Sequence, residues 1–351
     1  ATTEGIIVLA NSNYLILSPE WDNGAIVDAG AVTWGDGSRG TSGAISEANS
    51  LVGSGAGHDV GELNPVPLTN GNYVVVSPDI PGGAATWGDG TKGVTGPVSA
   101  QNSLVGSLSG SSPGPERAVA LANGHYVVQS QFWNNGGPAA IGAATWCDGT
   151  KVTRGLITPA NSLIGSTLND RVGNFVVALT NGNYVVGSAQ WDNGSTADVG
   201  AVTWANGKTG IKGLVSPANS LIGTTAGDFV GSQIVALTNG HYVVGSNSWD
   251  NEGISNVGAA TWGNGVTGTR GVVSPANSLV GSTAFDSVGS IIKALPNGNY
   301  LVQSRNWNNG AIVDVGAVTW ASGNSGIAGA VSPANSLVGS TAGDEGGFGN
   351  V

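Results

Sequence analysis

Six tyrosines recur at nearly equal intervals: Tyr14, Tyr73, Tyr126, Tyr184, Tyr242 and Tyr300, separated by 59, 53, 58, 58 and 58 residues. A period of this size means one supersecondary unit repeated in tandem. Other landmarks keep the same phase. A Trp follows the Tyr by 20 residues in five units (Trp34, Trp146, Trp204, Trp262, Trp320) and by 14 in the second, at Trp87, so the second unit lacks six residues. An Asn stands 15 residues beyond that Trp in every unit: Asn49, Asn102, Asn161, Asn219, Asn277 and Asn335. Residues 1–351 are therefore read as one domain of six units, although length alone suggests two domains.

Within a unit, Val176-Val177-Ala178-Leu179 runs through Thr180-Asn181-Gly182-Asn183 into Tyr184-Val185-Val186, the pattern of a β-hairpin. Asn-Gly predicts a type I′ turn with positive φ at both residues, and the dipeptide recurs at Asn70, Asn123, Asn239 and Asn297; the first unit has Asn11-Ser12. A third strand is expected at Gly200–Trp204 and a fourth in the Gly213–Ser216 region, ended by Pro217. The Ala-Asn-Ser-Leu-Ile/Val-Gly stretch after it either extends the sheet edge or leads back to the next hairpin. Four short antiparallel strands, six times over, predict an all-β fold: a six-bladed β-propeller. A β-solenoid is the alternative, but its coils run parallel, whereas Asn-Gly hairpins require antiparallel neighbours. Small residues in strand three let blades approach closely, with the Trp34 set buried between them.

The charge pattern narrows the partners. Only 9% of residues are charged, and 22 acidic against 11 basic side chains give a net −11 with no basic run to neutralise successive phosphates, so nucleic acid is not an expected partner. No apolar stretch reaches the roughly 20 residues of a membrane span. The single cysteine, Cys147, forms no intramolecular disulfide, and a Cys-poor, Gly/Thr/Asn-rich chain suits an exported protein, extracellular or at the cell surface. A chain that starts at Ala1 and contains no Met is expected to be a processed form or a piece of something longer, and Gly343-Asp344-Glu345-Gly346-Gly347 has the look of a seventh unit beginning.

Five units carry a second Trp, at the end of strand two, followed by Asp-Asn or Asn-Asn: Trp21-Asp22, Trp133-Asn134, Trp191-Asp192, Trp249-Asp250 and Trp307-Asn308. An aromatic face beside carboxylate and carboxamide oxygens suits a sugar ring, and these ten residues are the candidate ligand site. The competing reading is that each Trp packs under its own loop while Asp-Asn-Gly turns the chain. Catalysis is not expected. His58, His125 and His241 occupy turn or loop positions, the latter two replacing an Asn, and Cys147 stands where other units have Gly or Ala. No metal or cofactor is expected: turns such as Gly35-Asp36-Gly37 offer one carboxylate each, and calcium, though weighed, needs several.

The order of motifs Asp228-Phe229-Val230-Gly231, Ile234-Val235-Ala236-Leu237, Tyr242-Val243-Val244-Gly245-Ser246 and Gly258-Ala259-Ala260-Thr261-Trp262 resembles the FG-GAP repeat of bacterial surface proteins and of the integrin α-subunit head. The likeness runs through nearly the whole chain as that of a divergent relative: Val-Gly replaces Phe-Gly, Ser replaces Ala-Pro, and the Ser111–Arg117 junction lacks the Asp. The resemblance implies a propeller used in adhesion or recognition. Two functions are thus expected: a non-catalytic structural or adhesive module with a protein or glycan partner, or a multivalent carbohydrate-binding propeller.

Overall fold

The computed structural model describes residues 5–106, 113–137 and 140–345; Ser111 and Ser112 of the aberrant junction and the Gly346-Gly347 pair lie outside them. The chain divides into two compact units. One comprises Ala1–Ile164, Arg171–Asn174 and Gly207–Leu214, the other Gly165–Asp170, Phe175–Asn206 and Val215–Val351. Every regular element among the described residues is a β-strand, and each of the six repeats forms its own sheet of four or five strands, three sheets to a unit.

The fourth repeat shows the plan. Phe175–Ala178, Tyr184–Ser188, Ala201–Ala205 and Ser220–Ile222 form an antiparallel meander, and Gly271–Val272 from the next repeat adds a fifth, parallel strand at its edge. Here the sequence reading of the fourth strand is corrected. Gly213–Leu214, expected to complete its own sheet, instead pairs in parallel with Leu163–Ile164 of the preceding repeat. The repeat's own fourth strand lies in the Asn-Ser-Leu-Ile segment. That placement follows from burial: Leu221 is core, and Ser220 Oγ lies 2.7 Å from Thr203 Oγ1 across the ladder, so two interior hydroxyls satisfy each other.

The hairpin turn is corrected too. Gly182 N–H donates to Leu179 O (3.0 Å) and Leu179 N–H to Asn183 O (2.8 Å), while Gly182 has φ +85° and Asn181 stays at negative φ. This is a type I turn followed by one left-handed residue, the three-residue hairpin loop, rather than type I′. In the first repeat Ser12 takes the left-handed position, at φ 70°.

Strand two explains where the core sits. Its side chains alternate between faces, and in the inner sheets both faces are buried. In the first unit, Leu15, Val32 and Leu51 of one sheet pack on Tyr73, Val75, Ala84 and Val105 of the next. In the second, Val185, Val202 and Leu221 pack on Tyr242, Val244, Ala259 and Val280, and Val243, Ala260 and Leu279 pack on Tyr300, Val302 and Ala317. Each such side chain contributes about 1.5–3 kcal/mol on leaving water, which is how a chain so poor in charge and so rich in glycine holds together.

Between consecutive sheets runs a polar seam. The strand-three Trp donates its indole N–H to the carbonyl of a turn glycine in the next repeat: Trp34 to Gly90 (3.0 Å) and Trp87 to Gly149 (2.9 Å) in the first unit, Trp204 to Gly265 (2.9 Å) and Trp262 to Gly323 (2.8 Å) in the second. The hairpin Asn side chains converge on the same oxygens, as Asn181 and Asn183 do on Gly265 O, both at 2.8 Å. The Trp34 set was expected to be buried; Trp87 is, but Trp34, Trp146, Trp204 and Trp262 are only half-buried and Trp320 is exposed.

Candidate functional site

The second Trp set lies deeper than the first. Trp133 is 1% exposed and Trp191, Trp249 and Trp307 are each 3% exposed, with Trp21 half-buried. The four buried rings offer no open face to a sugar; they fill the space beneath a ten-residue loop. In the fourth repeat that loop closes through Gly200 N–H to Trp191 O (3.0 Å), with reciprocal bonds between Asn193 and Thr196 inside it. The following acid is its staple: Asp192 Oδ1 accepts from Asp198 N–H (2.8 Å), Asp22 from Asp28 N–H (2.9 Å), Asp250 from Asn256 N–H (2.7 Å), and the amide oxygen of Asn308 from Asp314 N–H (2.7 Å). Asn134 turns its loop differently, accepting from Gly136 N–H (3.0 Å). The structure thus brings each Trp together with its Asp or Asn, but as core and clasp of a loop.

Beside each Trp loop lies a second loop, and its key residue is a buried aspartate. Asp170, Asp228 and Asp286 are fully buried. Asp228 Oδ2 accepts from Thr224 and Thr225 N–H (2.8 Å each), and its Oδ1 accepts from Asp250 N–H (3.0 Å), so one carboxylate ties the two loops together. Asp170 and Asp286 do the same toward Asp192 and Asn308. Burial raises the Asp228 carboxyl against the lowering effect of these N–H donors. Asp198 is also raised, by burial and then by the neighbouring carboxylates of Asp192 and Asp170. His58 takes the aspartate's place in the first repeat, where its Nδ1 accepts from Ser54 N–H (3.3 Å). Sequence reasoning noticed Asp228 but missed its role; the readable signal was Ser/Thr-Thr-x-x-Asp at equal phase in the later repeats.

The remaining chemistry-bearing side chains are similarly engaged. His125 and His241 use Nδ1 to accept from Gly149 N–H (3.1 Å) and Gly265 N–H (3.0 Å), the role Asn72 Oδ1 performs for Gly90. Cys147 is buried, and burial pushes its thiol up to about 12. Asp89 of a Gly-Asp-Gly turn accepts from the Thr91 amide and hydroxyl. Among the described residues, no three His, Cys, Asp or Glu side chains are placed to share a metal ion.

Several loops present apolar side chains outward, and these differ between repeats. Val27, Ile254, Ile312 and Val313 are exposed on Trp loops, and Leu168 and Phe285 on the aspartate loops. The two loops of a repeat meet at these tips, as in Phe285 N–H to Ser255 O (3.0 Å). Phe285 sits at φ 66°, where the first, fourth and sixth repeats have Gly57, Gly227 and Gly343 and the third has Asn169 at φ 68°, and it is 62% exposed.

Sheets of this plan, joined by recurrent stapled loops, define an all-β tandem-repeat protein. The chain belongs to the family described as "Repeat of unknown function (DUF5650)", whose pattern matches residues 8–62, 67–114, 120–174, 178–232, 236–290 and 294–348. No curated protein matches the chain.

Proposed function

We propose that the chain is a non-catalytic adhesive or recognition module of a secreted or cell-surface protein, and that its paired loop tips are the surface that meets a protein partner. The observation that carries this reading is Phe285. A bulky L-residue held at positive φ costs free energy that the glycines of other repeats avoid, and its ring does not recover that cost by burial. Strain with no packing return points to a use outside the fold. Different tips on one stapled frame are also how rigid scaffolds commonly carry recognition loops. The engaged histidines and the buried thiol support a role without catalysis.

The sheets are propeller-type blades in this reading, and the likeness to FG-GAP repeats adds adhesion as the role. Carbohydrate binding is the second reading; it rests on the recurrence of Trp with Asp or Asn, and it requires these rings to become accessible. Adherence of the purified chain to host-cell and matrix-protein surfaces, with Phe285→Gly and Ile312→Ser/Val313→Ser variants, tests the proposal. The expected result is reduced adherence with a melting temperature that is unchanged for the double variant and raised for Phe285→Gly. Adherence unaffected by either, or binding to a glycan array instead, would exclude this surface.

A further inference from the structure

The sixth sheet differs from the other five. It has four strands, Ile291–Ala294, Tyr300–Ser304, Ala317–Ala321 and Ser336–Val338, and lacks the parallel fifth strand that each other sheet receives from the following repeat. Its open face carries the side chains that elsewhere touch the next sheet. Leu337 is 79% exposed, whereas the equivalent Leu51, Leu104, Leu163, Leu221 and Leu279 are fully buried. Trp320 is 52% exposed, and neither its indole N–H nor the Nδ2 groups of Asn297 and Asn299 reach a glycine carbonyl among the described residues, as their counterparts do.

The first repeat has the complementary deficit. Ile6 is exposed, while the equivalent Val176, Ile234 and Ile292 are buried. Among the described residues no Trp ring covers Gly40, although Gly93, Gly210, Gly268 and Gly326 each lie against one, and no donor reaches Gly37 O, the counterpart of Gly90 O and Gly265 O. Gly43-Ala44 matches the two-residue strands Gly96–Pro97 and Gly271–Val272 but pairs with no sheet edge among the described residues. Beside it an open groove is lined by Ile16, Thr33, Ser42, Gly43 and Ile45.

We propose that this chain associates head to tail with a second copy of itself, the Trp320–Leu337 face of one copy seating on the Gly37–Ile45 face of the other. The argument is continuity: the same seam joins consecutive sheets inside each unit, and the two open faces are its two halves. By that register Leu337 and Val338 lie opposite Gly43 and Ala44 of the partner copy. Ile45 N–H then donates to Val338 O, as Val98 N–H does to Val52 O (3.0 Å) and Val331 N–H to Val280 O (3.0 Å). Trp320 Nε1–H, with Asn297 and Asn299, donates to Gly37 O. Such a contact is heterologous, so each copy keeps one free half and the assembly either grows or closes by rotation.

Sedimentation velocity of the intact chain from micromolar to millimolar concentration tests this, with Trp320→Ala and Leu337→Asp variants whose folding is checked by their melts. Both positions are exposed, so each variant is expected to fold as the parent does. The parent's mean mass should rise with concentration, and each substitution should weaken association by at least about 30-fold, as loss of a central aromatic anchor does. A Leu337→Asp copy retains its Gly37–Ile45 face and should cap parent chains, so that mixing lowers the parent's mean mass. A parent that stays monomeric throughout, as a six-bladed ring closed within one chain would, overturns the proposal. So does a variant that associates like the parent, or a mixture whose mass is the average of its parts.

Discussion

Thr203 Oγ1 and Ser220 Oγ lie 2.7 Å apart inside the fourth sheet, and the same pair recurs in every repeat, from Thr33 with Ser50 to Thr319 with Ser336. Each hydroxyl is the other's answer to burial. In every repeat the Ser hydroxyl also donates to the preceding Asn, as Ser220 does to Asn219 Oδ1 (2.9 Å), which is why that Asn keeps phase with the Trp. Ser220→Ala alone strands the threonine, which donates to the serine, and is expected to destabilise by about 1–3 kcal/mol. Thr203→Val with Ser220→Ala should cost less than the sum of the two single changes, a coupling that a double-mutant cycle in urea measures.

The two Trp sets should separate in stability. Trp191→Ala empties the space under a loop and is expected to cost about 3–5 kcal/mol. Trp204→Ala, half-buried in a seam, should cost less, and Trp320→Ala should change stability by no more than about 0.5 kcal/mol. Urea unfolding of the three variants checks the order, and a Trp191 variant as stable as the parent would return that ring to the surface.

Acid should weaken the fold through histidine. Burial holds His58 and His241 below the ordinary imidazole value of 6.5, and each accepts a backbone N–H through Nδ1, which a protonated ring cannot do. A histidine depressed in the fold takes up its proton more readily when unfolded. Its contribution is therefore full above pH 6.5 and is lost as pH falls through the lower folded value. His58→Asp with His241→Asn restores the residues of other repeats, and its melting temperature should fall less than the parent's between pH 8 and pH 5, the range over which imidazole titrates.

Cys147 should be silent in the native protein. Its thiol is raised to about 12 and buried, so a thiol reagent is expected to label it only on unfolding. Cys147→Ala, the residue present at Ala205 and Ala321, removes one buried sulfur and should cost about 1 kcal/mol. Rapid native labelling would show that this repeat opens locally.

The sequence spoke most clearly where the repeat itself spoke. Tyr, Trp and Asn at fixed phase announce six units, and Asn-Gly, with Asn-Ser in the first, announces each hairpin, because those signals are local. What could not be read depends on a neighbour. Gly213–Leu214 looks like a closing strand until the edge at Leu163–Ile164 is in view, since a two-residue segment carries no periodicity to say which sheet it joins. The turn type escaped for a smaller reason: Asn-Gly suits both loop lengths, and only the Leu179 to Asn183 bond decides between them. The Trp191 ring could be read two ways because a loop rich in Gly, Asn and Asp looks exposed, and nothing in its composition tells that Asp228, 37 residues on, fastens it down.

The parallel two-residue strand that each later repeat lays on the sheet before it, such as Gly271–Val272 on Leu221–Ile222, has a consequence for how such an array comes apart. A sheet so clasped cannot melt at that edge alone: losing repeat n exposes the edge of repeat n−1, so fraying is transmitted along the chain as a nearest-neighbour cooperativity. Partial denaturation is then directional, and a proteolytic ladder from this protein should shorten in steps of one whole repeat.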